Sequence, residues 1–532
     1  MPPPAPAVAS HSIRATLRHR DFRALLGGGG IYFIGNAMQA MAAAWLMVEV
    51  TGSSFLAALV QTAVFLPMFL LVLPAGVLAD TTDRRRLMLG ALGMQAAVVA
   101  LLAVLFITGV AGPATLLVLT FLAGCCTAML SPPWNSGIVD VVPRDELPQA
   151  ITAIGIAYNS ARALGPAMAG WVYAQAGAGW VFMLALVGVG VLFEAVRRHP
   201  PRPHPPSRLP AERLWGGMLS ALRFARHSET LLAQLVRTGA YSAAGSALWA
   251  LLPVIGQRQL GLGATGFGLL MGCLGTGAVL AGLAIGRMRA RLGLERLVLV
   301  GGVVFAGVMV VAALSTTRAL TYLALMAGGA SWMSVMSTYN TATQTSVPPW
   351  VRARATSLHT LCALGAFALG SAFWGALSDI VGLTPALLIG AAAMAAGLAL
   401  ARPFPLRMGE LHEVTQVPLS QDLFVAHEPD PEAGPVAVEI TYRVRPEQTA
   451  AFLDDVSLLR APRKRDGATL WRVYRDLSDP TRFAERFIVT RWADYLHQRA
   501  RGTLAEQQIE ARLHGHLQAG TVPETQHYIA ER

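Results

Sequence analysis

The sequence predicts an all-α membrane protein, with twelve transmembrane helices in two six-helix pseudo-symmetric bundles, followed by a C-terminal cytoplasmic ferredoxin-like α+β domain. Three observations predict it. Twelve apolar stretches fill residues 24 to 400, the first six resemble the second six at a spacing of 205 residues, and the charge balance reverses after residue 409.

The spans follow from length and polarity. A hydrocarbon core about 30 Å thick takes about 20 apolar residues. Stretches that meet this run at 24–49, 54–79, 87–109, 114–139, 149–175, 180–197, 229–255, 264–287, 295–315, 318–345, 353–378 and 384–401. A composition of 54% hydrophobic and 14% charged residues, with mean hydropathy +0.48, is far from the soluble average.

Arginines supply the orientation. Arg14, Arg18, Arg20 and Arg23 precede span 1, Arg84 to Arg86 follow span 2, and Arg144 follows span 4. Arg197 and Arg198 follow span 6, Arg287, Arg289 and Arg291 span 8, and Arg352 and Arg354 span 10, whereas the alternate loops hold little beyond Arg258 and Arg318. The positive-inside rule then puts both termini in the cytoplasm. The formal charge of +11 is mostly a topology signal, and nucleic acid is not expected as a partner.

Residues 1 to 409 carry 27 basic and 12 acidic side chains and the remainder 15 and 19, which marks a domain boundary. The expected organisation is a disordered, basic N-terminus (1–23), an N-terminal bundle (24–198), a cytoplasmic interbundle loop (199–228), a C-terminal bundle (229–401), a linker (402–435) and a cytoplasmic domain (436–532). The proline-rich head has no apolar core or cleavage site of its own and reads as a tail, not a cleaved signal.

The internal repeat is clearest where the span 4/5 region is laid over the span 10/11 region. Val142 and Pro143 fall on Val347 and Pro348, Ala150 on Ala355, Leu164 and Gly165 on Leu369 and Gly370, Gly170 on Gly375, and Gly177 on Gly382. Parallel halves of this kind allow a midplane site to open to each side in turn.

Three motifs stand in register with this pattern: Gly76-Val-Leu-Ala-Asp80-Thr-Thr-Asp-Arg84-Arg85-Arg86 in the span 2/3 loop, Asn159-Ser-Ala-Arg162-Ala-Leu-Gly165-Pro166-Ala-Met-Ala-Gly170 in span 5, and Pro349-Trp350-Val351-Arg352-Ala353-Arg354 at the span 10/11 joint. With them about three quarters of the chain resembles the major facilitator superfamily, in the branch of enterobactin exporters and macrolide efflux pumps. The resemblance implies alternating access and export of small organic molecules, usually against a proton gradient, in a bacterial inner membrane.

Each motif has a physical role to test. A carboxylate at Asp80 is favoured at the positive N-terminal end of a facing helix, span 11 in this reading, by roughly 0.3 to 1 kcal/mol when exposed and about 2 when partly buried. Arg84 to Arg86 are expected to hold the loop against Asp140 or lipid phosphate, or merely to set topology. Thr81 and Asp83 depart from the family pattern, where arginine and glycine are common. In span 5, Gly165, Pro166 and Gly170 remove bulk and one backbone donor, which permits a bend and close helix contact; in the resembled family this feature accompanies export. Ser371 stands where the second half would repeat Pro166.

Arg162 lies midway along span 5, where a guanidinium costs at least about 2.5 to 3.5 kcal/mol unless it meets a cavity or a partner. The expectation is a polar contact lining the pathway, with snorkelling to an interface as the alternative. Asn36, Gln39, Gln61, Asn159, Arg237, Asn340, Gln344 and His359 are the other polar pathway candidates, each weighed against a plain interhelical hydrogen bond. For proton transfer, Glu49, Glu194 and Asp379 lie near span ends, which leaves His359 as a candidate against a structural role. Cys125, Cys126, Cys273 and Cys362 read as packing residues, and no metal or cofactor is expected.

From Val436 the expected order is a strand, a helix from Pro446 to about Arg460, strands near Leu470–Leu477 and Arg482–Thr490, one helix from about Trp492 to Leu517, and a strand Thr525–Ala530. This βαββαβ order weakly resembles dimeric α+β barrels of the antibiotic biosynthesis monooxygenase type. An aromatic pocket of Trp471, Tyr474, Trp492, Tyr495 and His497 would serve an enzyme; the same side chains as plain core would serve a regulatory or dimerising module, the preferred reading. For the whole chain the first hypothesis is a secondary exporter of small organic molecules, siderophore- or drug-like, with the lipid bilayer and protons as its other partners. A metabolite importer and a non-transporting receptor are the alternatives. No Gly-Lys-Ser/Thr nucleotide loop is present, which argues against a primary pump.

Overall fold

The computed structural model describes residues 16–139, 141–143, 146–198, 222–417, 425 and 429–531. They fall into two compact units: Met1–Pro206, Thr238–Thr338 and Leu361–Leu400 form one, and Ser207–Arg237, Tyr339–Thr360 and Ala401–Arg532 form the other.

The chain runs through α1 (Arg20–Thr51), α2 (Ser54–Thr81), α3 (Arg84–Ile107), α4 (Pro113–Val139), α5 (Leu147–Ala176), α6 (Ala178–Arg198), α7 (Glu229–Val254), α8 (Ala264–Leu314), α9 (Arg318–Thr345), α10 (Pro349–Val381) and α11 (Leu383–Leu398). Ten of them, counted with the short turns that extend α7 and α11, are long and apolar enough to cross a membrane. Helix α5 falls short on composition because Gln149, Asn159, Arg162 and Gln175 interrupt it. The expected break between spans 8 and 9 is a bend inside α8 rather than a loop, at Gly293 with φ 73° and ψ 171°, a conformation that suits glycine alone. Leu101, Val104, Val118, Leu283, Val303 and Leu323 stay exposed, as side chains that meet lipid do.

The first unit is built on close glycine crossings. A side chain at Gly165 would meet Ala37 of α1 at 2.8 Å, and one at Gly370 would meet Ala243 of α7 at 2.8 Å. A side chain at Gly170 would meet the Ala264 carbonyl of α8 at 2.5 Å, and one at Gly375 would strike Ala58 of α2. Thus α5 sits against α1 and α8 as α10 sits against α7 and α2. Gly177 and Gly382, which end α5 and α10, share positive φ values of 84° and 93°. Within the first half, Phe22, Tyr32, Leu92, Leu130, Trp134, Val189 and Leu192 form one buried cluster. There the Tyr32 hydroxyl donates to Gln95 Oε1 at 3.2 Å and lies 3.3 Å from the Thr127 hydroxyl.

The second unit holds a four-stranded antiparallel sheet in the order β2-β3-β1-β4, from β1 (Val436–Arg443), β2 (Leu470–Arg475), β3 (Arg482–Val489) and β4 (Glu524–Ile529). Helices α12 (Thr449–Leu458) and α13 (Arg460–Arg465) lie between β1 and β2, and α14 (Trp492–Ala500) and α15 (Leu504–Gly515) between β3 and β4. The single helix expected over 492–517 is therefore two, parted at Arg501 and Gly502, where the backbone turns and Leu504 N–H donates to Thr415 O at 3.0 Å. Tyr442, Val444, Phe452, Val456, Phe483 and Leu513 fill one core, and Val436, Val438, Phe487, Val489, Trp492 and Tyr495 another. Glu485 is fully buried and accepts from Arg463 Nε at 3.2 Å, Trp471 Nε1 at 2.9 Å and Tyr442 OH at 3.0 Å. Three donors offset the cost of burying that carboxylate.

Candidate functional site

Two features of the first unit join its helical halves. The first is a seal at the face opposite the arginine-rich loops. Asp379, two residues from the end of α10, accepts from Ser53 Oγ at 2.8 Å, Ser54 N–H at 2.9 Å and Phe55 N–H at 3.2 Å. These N–H groups open α2, so the carboxylate both caps orphan donors and meets the positive end of the helix dipole. Beside it Arg258 donates to the Gly52 carbonyl, the Trp45 and Phe267 rings stack with centroids 5.3 Å apart, and Thr265 Oγ1 donates to Gly170 O at 3.3 Å. Sequence reasoning placed a clamp of this kind on Asp80 at the other end of α2. The Asp80 side chain lies outside the described residues, as does Asp140, and it is Asp379 whose side chain makes the reciprocal contact.

The second feature is an aromatic cluster around Arg162 that joins α5 to α7. Arg162 stands halfway along α5, exposed, with its guanidinium 6.0 Å from the Tyr158 ring one turn earlier and 5.6 Å from the Trp249 ring of α7. It makes no hydrogen bond or ion pair among the described residues. Trp249 belongs to a run of rings: Trp249 to Trp332 at 6.0 Å, Trp332 to Phe367 at 6.0 Å, and Phe367 to Phe65 at 4.9 Å, while Phe33 meets Tyr158 at 5.2 Å. Gly245 makes room for Trp332, since a side chain there would strike the indole. None of these aromatics was singled out from sequence, because a ring in an apolar span adds to hydropathy whether it faces lipid or a cavity.

The remaining candidates separate. Gln39 and Gln61 are buried on α1 and α2, Asn36 is half-buried on α1, and none of the three has a hydrogen-bond partner among the described residues. Asn159 is spent on its own helix, donating to Gly155 O at 2.8 Å. Gly165, Pro166 and Gly170 pack α5 as described, whereas a side chain at Gly76 would meet nothing within 4 Å. Arg85 Nε donates to Val196 O at 3.2 Å and a second nitrogen to Arg197 O, so it satisfies the carbonyls that end α6 rather than pairing with an acid. The Arg86 amide N–H caps onto Asp83 Oδ1 at 3.0 Å, and Arg84 opens α3.

Arg237, Asn340, Gln344 and His359 all fall in the second unit. Arg237 is 2% exposed, lies 5.8 Å from the Tyr339 ring and donates to Phe404 O at 3.4 Å. Gln344 donates to Asn340 Oδ1 at 2.5 Å, and His359 is buried 3.4 Å from the Thr343 hydroxyl. The same unit brings the first turn of α10 into contact with the sheet domain. Arg501 sits 4.1 Å from the Trp350 ring centroid, Arg465 sits 5.3 Å from the Phe224 ring, and Arg223 donates to Gly467 O at 3.2 Å. Burial lowers the Arg501 guanidinium to about 10, with Asp466 working against that shift, so it stays cationic at neutral pH. Phe224, Leu231, Val347, Val351 and Ala355 make the apolar floor of this contact. The aromatic pocket expected in the domain does not assemble: Trp492 and Tyr495 are core, Tyr474 and His497 are exposed, and Trp471 is tied to Glu485.

A bundle of membrane-crossing helices whose two halves pack through matched glycines and are tied at one end by Asp379 is the architecture of a multi-pass membrane transporter of the major facilitator type. The family profile described as "Transmembrane secretion effector" matches residues 11–532, and the chain belongs to that family. Solved structures agree on the fold. The nucleoside transporter NupG is similar with TM-score 0.57 and 13% identity over 73% of this chain and 100% of its own. A POT family transporter in complex with 5-aminolevulinic acid gives 0.60 and 11% over 72% and 96%. A bacterial homologue of the human lysosomal transporter Spinster, inward-facing and unoccupied, gives 0.54 and 16% over 73% and 95%. No curated protein sequence matches the chain.

Proposed function

We propose that this transporter is a secondary active exporter of small organic molecules, working by alternating access in the cell membrane and coupled to protons. Its twelve spans are counted by dividing α8 at Gly293 and including α5, and both termini lie in the cytoplasm by the arginine pattern. The observation that carries the reading is the pairing of a seal at Asp379 with Arg162, a mid-span cation held only by the Tyr158 and Trp249 rings among the described residues. A gate made of three hydrogen bonds and close-packed glycines can part, and a cation without an acidic partner among the described residues offers a solute something to bind. The exporter direction draws on the span 5 motif and on the family's description as a secretion effector. Inside-out vesicles carrying the protein test it. Solute uptake that follows an imposed inward-acid gradient and stops with an uncoupler supports proton-coupled export. Uptake only into right-side-out vesicles supports the importer, and ligand binding without flux supports the receptor.

We assign the C-terminal sheet domain, ferredoxin-like in this reading, to regulation rather than chemistry. What supports this is its contact with Trp350 in the first turn of α10, the helix that also carries Asp379. Dimerisation through the domain remains a separate proposal, tested by the mass of the purified protein in detergent with and without residues 436–532.

A further inference from the structure

A guanidinium halfway across a bilayer has three ways to lower its cost: an acidic partner, an interface within reach, or a ligand. Arg162 has no acid among the described residues, and its position midway along α5 leaves about 20 Å of helix on either side, beyond the reach of snorkelling. It points instead at Trp249, which belongs to the other half of the protein. The indole Nε1 of Trp249 is buried with no acceptor among the described residues. Arg162 and the Trp249 indole are thus two donors without an acceptor among the described residues, beside the rings of Tyr158, Trp332 and Phe367.

We infer that the surroundings of the exposed Arg162 are a binding site for a small organic anion bearing a planar unsaturated ring, the charge held by Arg162 and the ring held among Trp249, Tyr158 and Trp332. The inference rests on the transporter reading for its use, but not for its existence. A carboxylate or similar group offers the bidentate acceptor that guanidinium suits. The rings accept a flat partner by offset or edge contact. An organic cation would meet Arg162 as a like charge in a poorly screened site, and a neutral solute would leave it uncompensated.

The test is binding to the purified full-length protein in detergent, with no gradient applied, read by tryptophan fluorescence and by calorimetry. The probes are 1-naphthoate, its neutral amide 1-naphthamide, the cation 1-naphthylmethylammonium, and cyclohexanecarboxylate, which keeps the charge without the planar ring. The expected order is naphthoate first, with each of the others at least tenfold weaker. Arg162→Lys should weaken naphthoate about tenfold and Arg162→Gln should reduce it to the level of the amide, while Trp249→Phe should give an intermediate loss. Wild-type melting and gel-filtration behaviour qualify each variant; if Arg162→Gln does not fold, Arg162→Lys and Trp249→Phe carry the result. Equal binding of acid and amide, no binding of any probe, or naphthoate binding indifferent to Arg162 and Trp249 overturns the site. Naphthoate flux in vesicles is measured separately. Arg162-dependent binding without flux sinks the transport reading and keeps the site, and Arg162-independent flux does the reverse.

Discussion

Replacing Asp379 with Asn should unlock the face opposite the arginine-rich loops. The carboxylate takes three hydrogen bonds, from Ser53 Oγ, Ser54 N–H and Phe55 N–H at 2.8, 2.9 and 3.2 Å. An amide keeps one acceptor oxygen, turns an N–H₂ toward backbone donors, and has no net charge for the α2 dipole. Losing one charge-assisted bond costs about 1.5 to 3 kcal/mol when buried, and losing the dipole term about 0.3 to 1 kcal/mol. Asp379 is exposed, so solvent screening takes the sum somewhat below the two lower ends, to about 1.5 kcal/mol. That shifts the closed-to-open ratio about tenfold. The assay is alkylation by a membrane-impermeant thiol reagent, added on the seal side, of one cysteine placed at Gln61, in a protein whose four native cysteines are replaced. Gln61 is buried on α2 below the seal, so it reports opening. Labelling about tenfold faster in Asp379→Asn, and near wild type in Asp379→Glu, is expected. Less than a twofold change would refute the assignment of the seal to this carboxylate.

Other consequences can be checked in parallel. Gly170→Val places a branched side chain where even a Cβ would lie 2.5 Å from the Ala264 carbonyl. Overpacking of about 1 to 3 kcal/mol should pry α5 from α8 and raise the same Gln61 labelling, whereas unchanged labelling with normal expression would show that the crossing is not a gate. Trp350→Ala removes a close cation–π contact to Arg501 worth about 2 kcal/mol when desolvated, so limited trypsin digestion should release the sheet domain more than tenfold faster than from wild type. Burial holds His527, which pairs with the Tyr495 hydroxyl at 2.6 Å, below its ordinary 6.5. The unfolded domain then binds a proton that the folded one excludes, so its stability is full above about pH 6.5 and falls as pH drops toward the depressed value. A domain melt that is lower at pH 5 than at pH 7.5, with the difference reduced in His527→Gln, is the expected result; a melt flat with pH would contradict it.

Much of the scaffold was legible because it is local. Whether 20 residues can cross a bilayer depends on those residues alone, and the ends of most spans fall within a few residues of the helices observed. The matched glycines were legible as well, since nothing but close packing or a positive φ calls for glycine at Gly165, Gly170, Gly177 and their counterparts 205 residues on. Arg162 stood out by its cost in lipid. The bend at Gly293 falls inside the gap expected between spans 8 and 9, where Arg287, Arg289, Arg291 and Glu295 interrupt the apolar pattern, whereas the turn at Gly502 was missed because α14 stops and α15 starts there without a change of polarity that a hydropathy pattern could register.

The site itself needed the tertiary structure. Asp379 looked like an ordinary residue at a span end, and its role exists only because α2 begins 2.8 to 3.2 Å away, some 325 residues earlier in the chain. Phe65, Trp249, Trp332 and Phe367 come from four helices, and nothing in any one of them says which way its ring is turned. By itself the sequence determined that this chain lives in a membrane and that its halves are alike, because insertion and glycine packing are priced residue by residue. Only the fold decided which side chains come together, because the rotation of each helix about its axis is set by crossings with partners distant in sequence.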